Sequence, residues 1–453
     1  MKISIKGGHR FKLRIRRSLL HPFVFLVTIA VVGIVGLVLS RAAFTAKAVE
    51  AEQGRTSGSA MVMTMGGASG GIAVHFGMPM NNSLGNILYN STLGARFTQY
   101  KNDSEAIVTQ NLATRGNYEA NPSSPQPGSS NCGSNGCQGQ FRTYCQYSHL
   151  NYDDPIVYPG QSGKAHLHLY WGNMSADANT TNERLVNSGG GSCEGYEANR
   201  TGYWMPAVLD GNNKVVIPKS ILIYYKAAAN LSAQTQPMPQ GLKMIAGNSK
   251  GNTDQNLFFR NGIQWECYTG STVWTYEGQT IPDTCPQNPD EGKSGVTDWF
   301  PIKLEAVIYF PSCVAVDNSG KPILDTADDP VRFPVNNHKD HVAYFVSNGS
   351  GGLKCPSTHP YIMPQVSYLI SWDGKLNYSG WHLSSDRMSS PALPDGSSLH
   401  GDWYGGWNKT IMDTWINECI RPGANCSNGV IGNSKQLKTV PTDYTGTNYL
   451  TLP

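Results

Sequence analysis

The histidine pair His166 and His168 is the clearest chemical pattern in this sequence. Residues two apart on a β-strand project to the same face, so the two imidazoles would lie side by side. Neutral imidazole is the commonest metal ligand in proteins, and such a pair needs only one or two further ligands. Leu167 and Leu169 would then point to the opposite side, into the core. The pattern predicts a metal clamp on a strand face that borders a cleft or solvent.

Further ligands would have to come from His and Asp residues in the last third of the chain. The candidates are His338, Asp340, His341, His400 and Asp402. The predicted metal ligands are His166, His168 and His341, and the expected cofactor is one divalent transition-metal ion. The alternative is that these histidines are hydrogen-bonded structural residues, because an H-x-H pair also arises by chance. Several His and Asp residues in one domain are typical of a site, which makes the two interpretations equally strong.

Catalytic roles are predicted for His400, Asp402 and Asp386. Two carboxylates that flank a sugar bond can supply a general acid and a general base or nucleophile. In a metal-assisted version, Asp402 would instead orient His400 as a base beside a metal-activated water. Asp386 and Asp402 are also typical of loop residues that accept backbone amide hydrogen bonds. Both mechanisms and this structural alternative stay open at the level of sequence.

Aromatic residues lie close to these candidates in the sequence. All ten tryptophans follow residue 170, and the predicted ligand-binding residues are Trp171, Tyr203, Trp204 and Trp403. Most aromatic side chains are expected in the core, while a subset would form a platform that stacks on sugar rings. The low charged fraction of 15% suits a protein that meets neutral polymers.

Short strand-like runs separated by Gly, Pro, Asn and Asp must position these residues. The runs are 165–171, 214–218, 221–226, 302–310, 341–346 and 365–370. Long helical periodicity is absent, so the pattern predicts a mainly β fold, a β-sandwich or jelly-roll-like ectodomain with long loops. One short C-terminal helix is predicted over 407–419, with Ile411, Trp415 and Ile416 on one face.

The N-terminus has the composition of a membrane-targeting segment. The first 22 residues carry seven basic side chains and no acid, and residues 23–39 contain no charged residue. This predicts a basic cytoplasmic N-terminus over 1–22 and a single transmembrane helix over 23–40. A cleaved signal peptide is the alternative, because Ala46 and Ala48 give an A-x-A arrangement. The rest of the chain is expected outside the cell membrane, anchored in the first case and secreted in the second.

The charge of the exported part differs from that of the whole chain. Residues 1–41 hold eight of the 35 Lys and Arg and none of the 32 Asp and Glu, which leaves 27 − 32 = −5. A mildly acidic exported part argues against nucleic-acid binding. Residues 41–140 are rich in Gly, Ser and Asn and are predicted to form a stalk and linker, followed by the β-rich ectodomain over 141–453.

The ten cysteines all lie between Cys132 and Cys426, and no C-x-x-C pair occurs. An even number in an exported chain favours disulfides over a zinc-thiolate site. The plausible local bridges are Cys132 with Cys137, Cys267 with Cys285, and Cys419 with Cys426. The other four, Cys145, Cys193, Cys313 and Cys355, would need longer closures.

Many short blocks of this sequence, in order, resemble a known family. They are Phe141-Arg142, Cys145, Asp153 to Val157, Pro159-Gly160, His166 to Asn173, Ser192-Cys193, Tyr203 to Pro206, Tyr224-Tyr225, Pro239 to Gly247, Phe310 to Cys313, His338, His341 to Tyr344, Cys355-Pro356, Leu383 to Asp386, His400 to Trp403 and Gly406-Trp407. The sequence resembles the family catalogued as domain of unknown function 1996, which is found in secreted and cell-wall-associated proteins of fungi and bacteria. The resemblance extends over residues 141 to about 420. It implies export and a shared histidine-bearing site, and it implies no activity.

Two functions from different classes follow from these observations. The first is a membrane-anchored hydrolase-type enzyme that acts on a polysaccharide or cell-envelope polymer through a His and Asp cleft. The alternative is a non-catalytic surface module that binds a glycan or envelope component. The two differ in whether the His and Asp side chains converge on one centre, as an enzyme requires.

Overall fold

The computed structural model describes residues 60–64, 72–76, 118–120, 131–251, 262–269, 273–286, 303–374, 376–440 and 449–451. The predicted basic N-terminus over 1–22 and the predicted transmembrane segment over 23–40 lie outside these residues. So does most of the stalk predicted over 41–140. Among the residues that are described, no helix has both the length and the apolar character needed to cross a membrane.

Short strands are the main regular secondary structure of the described chain. In order they are β1 Ala60–Thr64, β2 Ile72–Phe76, β3 Tyr118–Ala120, β4 Asn131–Gly133, β5 Gly136–Gln138, β6 Gln140–Cys145, β7 His149–Asn151, β8 His168–Gly172, β9 Gly202–Pro206, β10 Val208–Leu209, β11 Lys214–Val216, β12 Ser220–Lys226, β13 Lys243–Gly247, β14 Ile263–Thr269, β15 Val273–Gly278, β16 Lys303–Tyr309, β17 Cys313–Val314, β18 Val342–Ala343, β19 Val346–Ser347, β20 Leu353–Lys354, β21 Tyr361–Ile362, β22 Gln365–Asp373, β23 His382–Leu383, β24 His400–Tyr404, β25 Asn425–Cys426, β26 Val430–Gly432, β27 Lys435–Leu437 and β28 Tyr449–Thr451. Two α-helices, α1 Asn182–Asn187 and α2 Lys409–Trp415, accompany them. The predicted mainly β class is confirmed.

The chain divides into two units, residues 1–79 and residues 80–453. In the first unit β1 and β2 form an antiparallel pair. The second unit contains all the other strands, and its small sheets include the antiparallel pairing of β3 with β27. The region predicted as a stalk therefore contributes a strand to the same unit as the ectodomain.

Two large sheets dominate the second unit. One has seven strands in the order β15-β14-β16-β22-β12-β6-β25, and the other has five in the order β13-β24-β9-β8-β7. Both are antiparallel, apart from the parallel pairing of β25 with β6 at one edge. In β12 and β13, buried residues alternate with partly exposed ones, as the two-residue repeat of a strand requires for a sheet with one face in a core.

Aromatic side chains from the two sheets meet in one core. Trp171 of the five-stranded sheet packs edge-on against Tyr368 of the seven-stranded sheet, with ring centroids 5.2 Å apart. The hydroxyl groups of Tyr203 and Tyr225 lie 2.8 Å apart across the same core. Gly401 allows the close approach, because a Cβ there would lie 2.9 Å from Ile308 Cδ1. One face of the five-stranded sheet is thus sealed against the other sheet, and the opposite face is left for the candidate site.

The predicted C-terminal helix is present as α2 and a wider π-helical turn, Ile416–Ile420. The helix begins after Asn408, whose side chain accepts a hydrogen bond from the backbone amide of Ile411. Ile411, Trp415 and Ile416 are all buried, as the sequence predicts. Trp415 stacks on Phe141 of β6, which fixes the helix to the core.

All ten cysteines are paired. The three predicted local bridges, Cys132–Cys137, Cys267–Cys285 and Cys419–Cys426, are confirmed. The four remaining cysteines form the longer closures Cys145–Cys193 and Cys313–Cys355.

Candidate metal centre

Three histidines meet on the outer face of the five-stranded sheet, the face turned away from the core. His168 opens β8 and pairs in register with Pro206 of β9. Asp402 of β24 pairs with Trp204 of the same central strand. Continuing that antiparallel register by two residues brings His400 level with Pro206. His168 and His400 therefore flank β9 in one row and on one face, and His166 stands two residues before His168.

The three imidazoles are close enough to share one ion. One ring nitrogen from each of His166, His168 and His400 lies within 4.8 Å of the others. The ring centroid of His166 lies 4.2 Å from that of His168 and 5.0 Å from that of His400. No other group of three or more His, Cys, Asp or Glu with this geometry occurs in the part of the chain that the structure describes.

Backbone carbonyls fix which nitrogen of two of these histidines is free. His168 Nδ1 lies 2.9 Å from the carbonyl oxygen of Asp153, and His400 Nδ1 lies 2.7 Å from that of Ser398. A carbonyl oxygen only accepts hydrogen bonds, so Nδ1 must carry the proton and Nε2 must carry the lone pair. Within the described residues, the buried Nε2 atoms of His168 and His166 have no hydrogen-bond partner. Buried polar atoms without a partner are costly in a protein interior unless a ligand satisfies them.

Burial keeps these imidazoles uncharged. It lowers the pKa of His168 to about 3, with a further decrease from His400. It lowers the pKa of His400 to about 4. Burial also places the pKa of His166 well below its ordinary value, and the two neighbouring histidines lower it further. Neutral imidazole is the form that binds metal ions.

Asp402 lies on the same face, two residues along β24 from His400. Its Oδ2 atom is buried with no hydrogen-bond partner in the described structure, and the same is true of Nε1 of Trp204, its register partner on β9. Burial and the nearby Asp154 raise the pKa of Asp402 well above the ordinary range, while Lys339 lowers it. The Lys339 ammonium donates to the carbonyl of Gly247, which is in register with His400. A second set of unpaired polar atoms thus adjoins the three histidines.

The chain matches the family described as Domain of unknown function (DUF1996) over residues 154–407, more than half of its 453 residues. It belongs to this family. The predicted membership is confirmed, and all three clustered histidines and Asp402 fall inside the matched region of the DUF1996 domain. No curated protein and no solved structure matches the chain.

The third histidine of the cluster in this DUF1996 domain is His400, and the predicted third ligand, His341, lies elsewhere. His341 Nε2 is hydrogen-bonded to the carbonyl of Lys243 at 2.8 Å. His338 is engaged as well, because its Nδ1 lies 2.8 Å from Asp325. The Ser398 carbonyl orients His400, whereas Asp402 was the residue predicted for that role. Strand order explains the change, since β9 brings β8 and β24 together over more than 200 residues of sequence.

The carboxylate of Asp386, predicted as an acid or base, is saturated with hydrogen bonds. It is fully buried and accepts from the backbone amides of Leu383, Gly396 and Ser398 and from the Ser398 hydroxyl. No lone pair direction is left for a substrate, so the loop-binding alternative describes this residue better.

The predicted ligand-binding aromatics of the DUF1996 domain are buried. Trp171, Tyr203 and Trp403 lie in the core between the sheets, and Trp204 packs with Tyr170 on the outer face. None of the four is more than 1% exposed, so they offer no open platform for a sugar ring.

Several residues of the site were not predicted for it. The Asp153-Asp154 pair belongs to one of the blocks that carry the family resemblance, and no role in the histidine site is predicted for it. Nothing in the sequence marks Ser398 or Lys339, because their contribution depends on where a loop passes the sheet.

Proposed function

We propose that this DUF1996 domain binds one divalent transition-metal ion through His166, His168 and His400. The observation that carries the proposal is the convergence of three neutral imidazoles, two of which have their Nδ1 proton held by a backbone carbonyl. Metal-ligating histidines almost always donate their other ring nitrogen in this way. Imidazole ligands suit zinc, copper, iron and nickel.

We infer that the bound ion supports hydrolysis. Three protein ligands leave a coordination position open for water, as in catalytic zinc sites. Asp402 Oδ2 and Trp204 Nε1 are buried polar atoms without a partner in the described structure, on the same face as the histidines. The low charged fraction of the chain, 15%, suits a protein that meets neutral polymers. A polysaccharide or cell-envelope polymer is the substrate class that we propose.

The location that we propose is the outer surface of the cell membrane, with the N-terminal segment as anchor. The pairing of all ten cysteines supports an oxidising compartment. The charge asymmetry of residues 1–41 supports a cytoplasmic N-terminus. If that segment is cleaved, the same domain would be secreted.

Metal analysis of the purified full chain tests the proposal. The protein would be prepared without metal-affinity steps, beside a His166→Ala/His168→Ala variant and a His359→Ala control. His359 is bound to Thr358 and Asp340 and has no place in the cluster. We expect about one transition-metal ion per chain, lost in the double variant and kept in the control.

A chain that takes up no metal would contradict the proposal. Binding of glycans without turnover would then favour the surface-module alternative. Turnover by a metal-free protein would favour a carboxylate mechanism.

A further inference from the structure

Asp153 anchors the carbonyl that holds His168. Its buried carboxylate accepts hydrogen bonds from the side-chain amide of Asn151 and from the backbone amides of Gly163 and Ala178, at 2.7–2.9 Å. Its own backbone carbonyl accepts from His168 Nδ1 at 2.9 Å and from the Tyr170 hydroxyl at 2.6 Å. The Asp153 carboxylate therefore binds three separate parts of the chain. These contacts hold in place the Asp153 carbonyl, which selects the tautomer of His168.

Asp386 anchors the carbonyl that holds His400. Two of its four hydrogen bonds come from Ser398, from the backbone amide at 3.0 Å and the hydroxyl at 2.6 Å. The Ser398 hydroxyl is also within 2.6 Å of Ser385. With its amide and side chain fixed, Ser398 has little freedom to turn its carbonyl away from His400 Nδ1. Both Asp386 and Ser398 are fully buried.

The two arrangements are alike although they lie far apart in the sequence. Each consists of a buried carboxylate saturated by loop donors, a backbone carbonyl fixed by that loop, and a histidine Nδ1 on the carbonyl. We propose that Asp153 and Asp386 are positioning residues of the metal centre, which set the tautomer of His168 and His400 and aim their Nε2 atoms at a common point. This inference rests on the proposed metal site.

Outer hydrogen bonds of this kind matter to metal affinity. A ligand histidine without a fixed acceptor populates both tautomers and more ring orientations, so binding must restrict it again. Loss of such a partner typically weakens metal binding about 10–100-fold. A purely structural role would instead affect both histidines alike through loosening of the domain.

The test uses selective ¹⁵N-histidine labelling of the full chain with Asp153→Asn and Asp386→Asn variants. Long-range ¹H–¹⁵N spectra of the metal-free protein report which ring nitrogen is protonated. Zn²⁺ affinity is measured by competition with a chelator. Asp210→Asn is the matched control. The Asp210 carboxylate accepts hydrogen bonds from the backbone amides of Asn212 and Lys214, in a loop that holds no histidine.

We expect each variant to change its own histidine. Asp386→Asn should lower the Nδ1-protonated population of His400 and leave His168 unchanged, and Asp153→Asn should do the reverse. Zn²⁺ affinity should fall about 10–100-fold in both and stay unchanged in Asp210→Asn. If Asp386→Asn does not fold, Ser398→Ala replaces it, since it removes one donor to Asp386 and should give a smaller change in the same direction.

Unaltered tautomers in both variants would overturn the inference, as would equal changes at both histidines or the same change in the control. A wild-type chain that binds no Zn²⁺ would refute the proposed metal site, while the tautomer spectra would still decide the positioning roles.

Discussion

The outer faces of the two large sheets differ in how their buried ionisable groups are paired. On the seven-stranded sheet, Glu266 and Glu305 are register partners, and both are buried. Gln264 donates to Glu266 at 2.7 Å, and the Ser371 hydroxyl donates to Glu305 at the same distance. On the five-stranded sheet, His166, His168, Asp402 and Trp204 each have a buried polar atom without a partner in the described structure.

This difference separates buried carboxyl groups that are satisfied by neighbouring side chains from a cluster of polar atoms that needs a ligand. An unpaired buried polar group costs about 1–3 kcal/mol, so four such atoms on one face are a substantial burden for the fold. The carboxylates of the other face meet the same requirement with neighbouring side chains. We therefore place the functional site on the five-stranded sheet and treat the seven-stranded sheet as its scaffold.

Metal binding should produce the largest change in the free energy of unfolding, because the ion would satisfy the unpaired polar atoms of the five-stranded sheet. At a free Zn²⁺ concentration 100 times the dissociation constant, the free energy of unfolding of the wild-type chain should rise by about 2.7 kcal/mol. The His166→Ala/His168→Ala variant should gain nothing. Chemical denaturation with and without Zn²⁺ measures both. Equal stabilisation of the two proteins would show that the ion binds elsewhere.

Ser371→Ala should have the next largest effect, on the outer face of the seven-stranded sheet. It removes the hydroxyl that donates to the carboxyl group of Glu305, a buried residue with 8% of its surface exposed. We expect a loss of about 1–3 kcal/mol in the free energy of unfolding, because the buried carboxyl group loses this hydrogen bond. Ser220→Ala is the control, because Ser220 is the register partner of Ser371 on the neighbouring strand β12. A loss of the same size in Ser220→Ala would count against this explanation.

Glu266 should make the stability of the chain depend on pH. Burial raises its pKa to about 7 from 4.5, with a further increase from Glu305 and Glu277 and an opposing decrease from Gln264. The folded protein therefore holds a proton that the unfolded chain releases. This contribution is complete below pH 4.5 and is lost as the pH rises through about 7.

The expected slope is at most about 1.4 kcal/mol per pH unit within that window. Glu266→Gln should remove this part of the slope, since an amide does not titrate. Denaturation of both proteins at several pH values between 4.5 and 8 measures the difference. Parallel profiles for the variant and the wild type would show that Glu266 ionises normally in the fold.

The sequence predicts the parts of this molecule that depend on local pattern. The β class, three of the six strand runs in nearly their full length, the buried face of α2 and the three local disulfides follow from periodicity, composition and spacing. The burial of Leu167 and Leu169 opposite the two histidines also follows from the two-residue repeat.

The rest depends on how distant segments meet. His341 and His400 are equivalent as candidates in the sequence, and only the order of the strands places His400 beside β8. The saturated Asp386 and the unpaired Asp402 are likewise indistinguishable until the loops around them are known. The sequence predicts Trp403 as a ligand-binding residue because it adjoins a motif. In the structure, the alternation of side chains along β24 directs Trp403 into the core.

His166→Ala in the metal-free protein should have the smallest effect, and the comparison of the two faces depends on it most directly. The substitution removes an imidazole whose Nε2 has no partner in the described structure, so the lost packing is offset by relief of an unpaired polar atom. We expect the free energy of unfolding without metal to change by less than about 1 kcal/mol, while Zn²⁺ no longer stabilises the variant. Denaturation in the presence of a chelator measures the first value, and its repetition with Zn²⁺ measures the second. A large loss without metal would mean that His166 is a structural residue with an essential role in packing. The histidine cluster would then stabilise the fold without a ligand, as the paired carboxyl groups of Glu266 and Glu305 do.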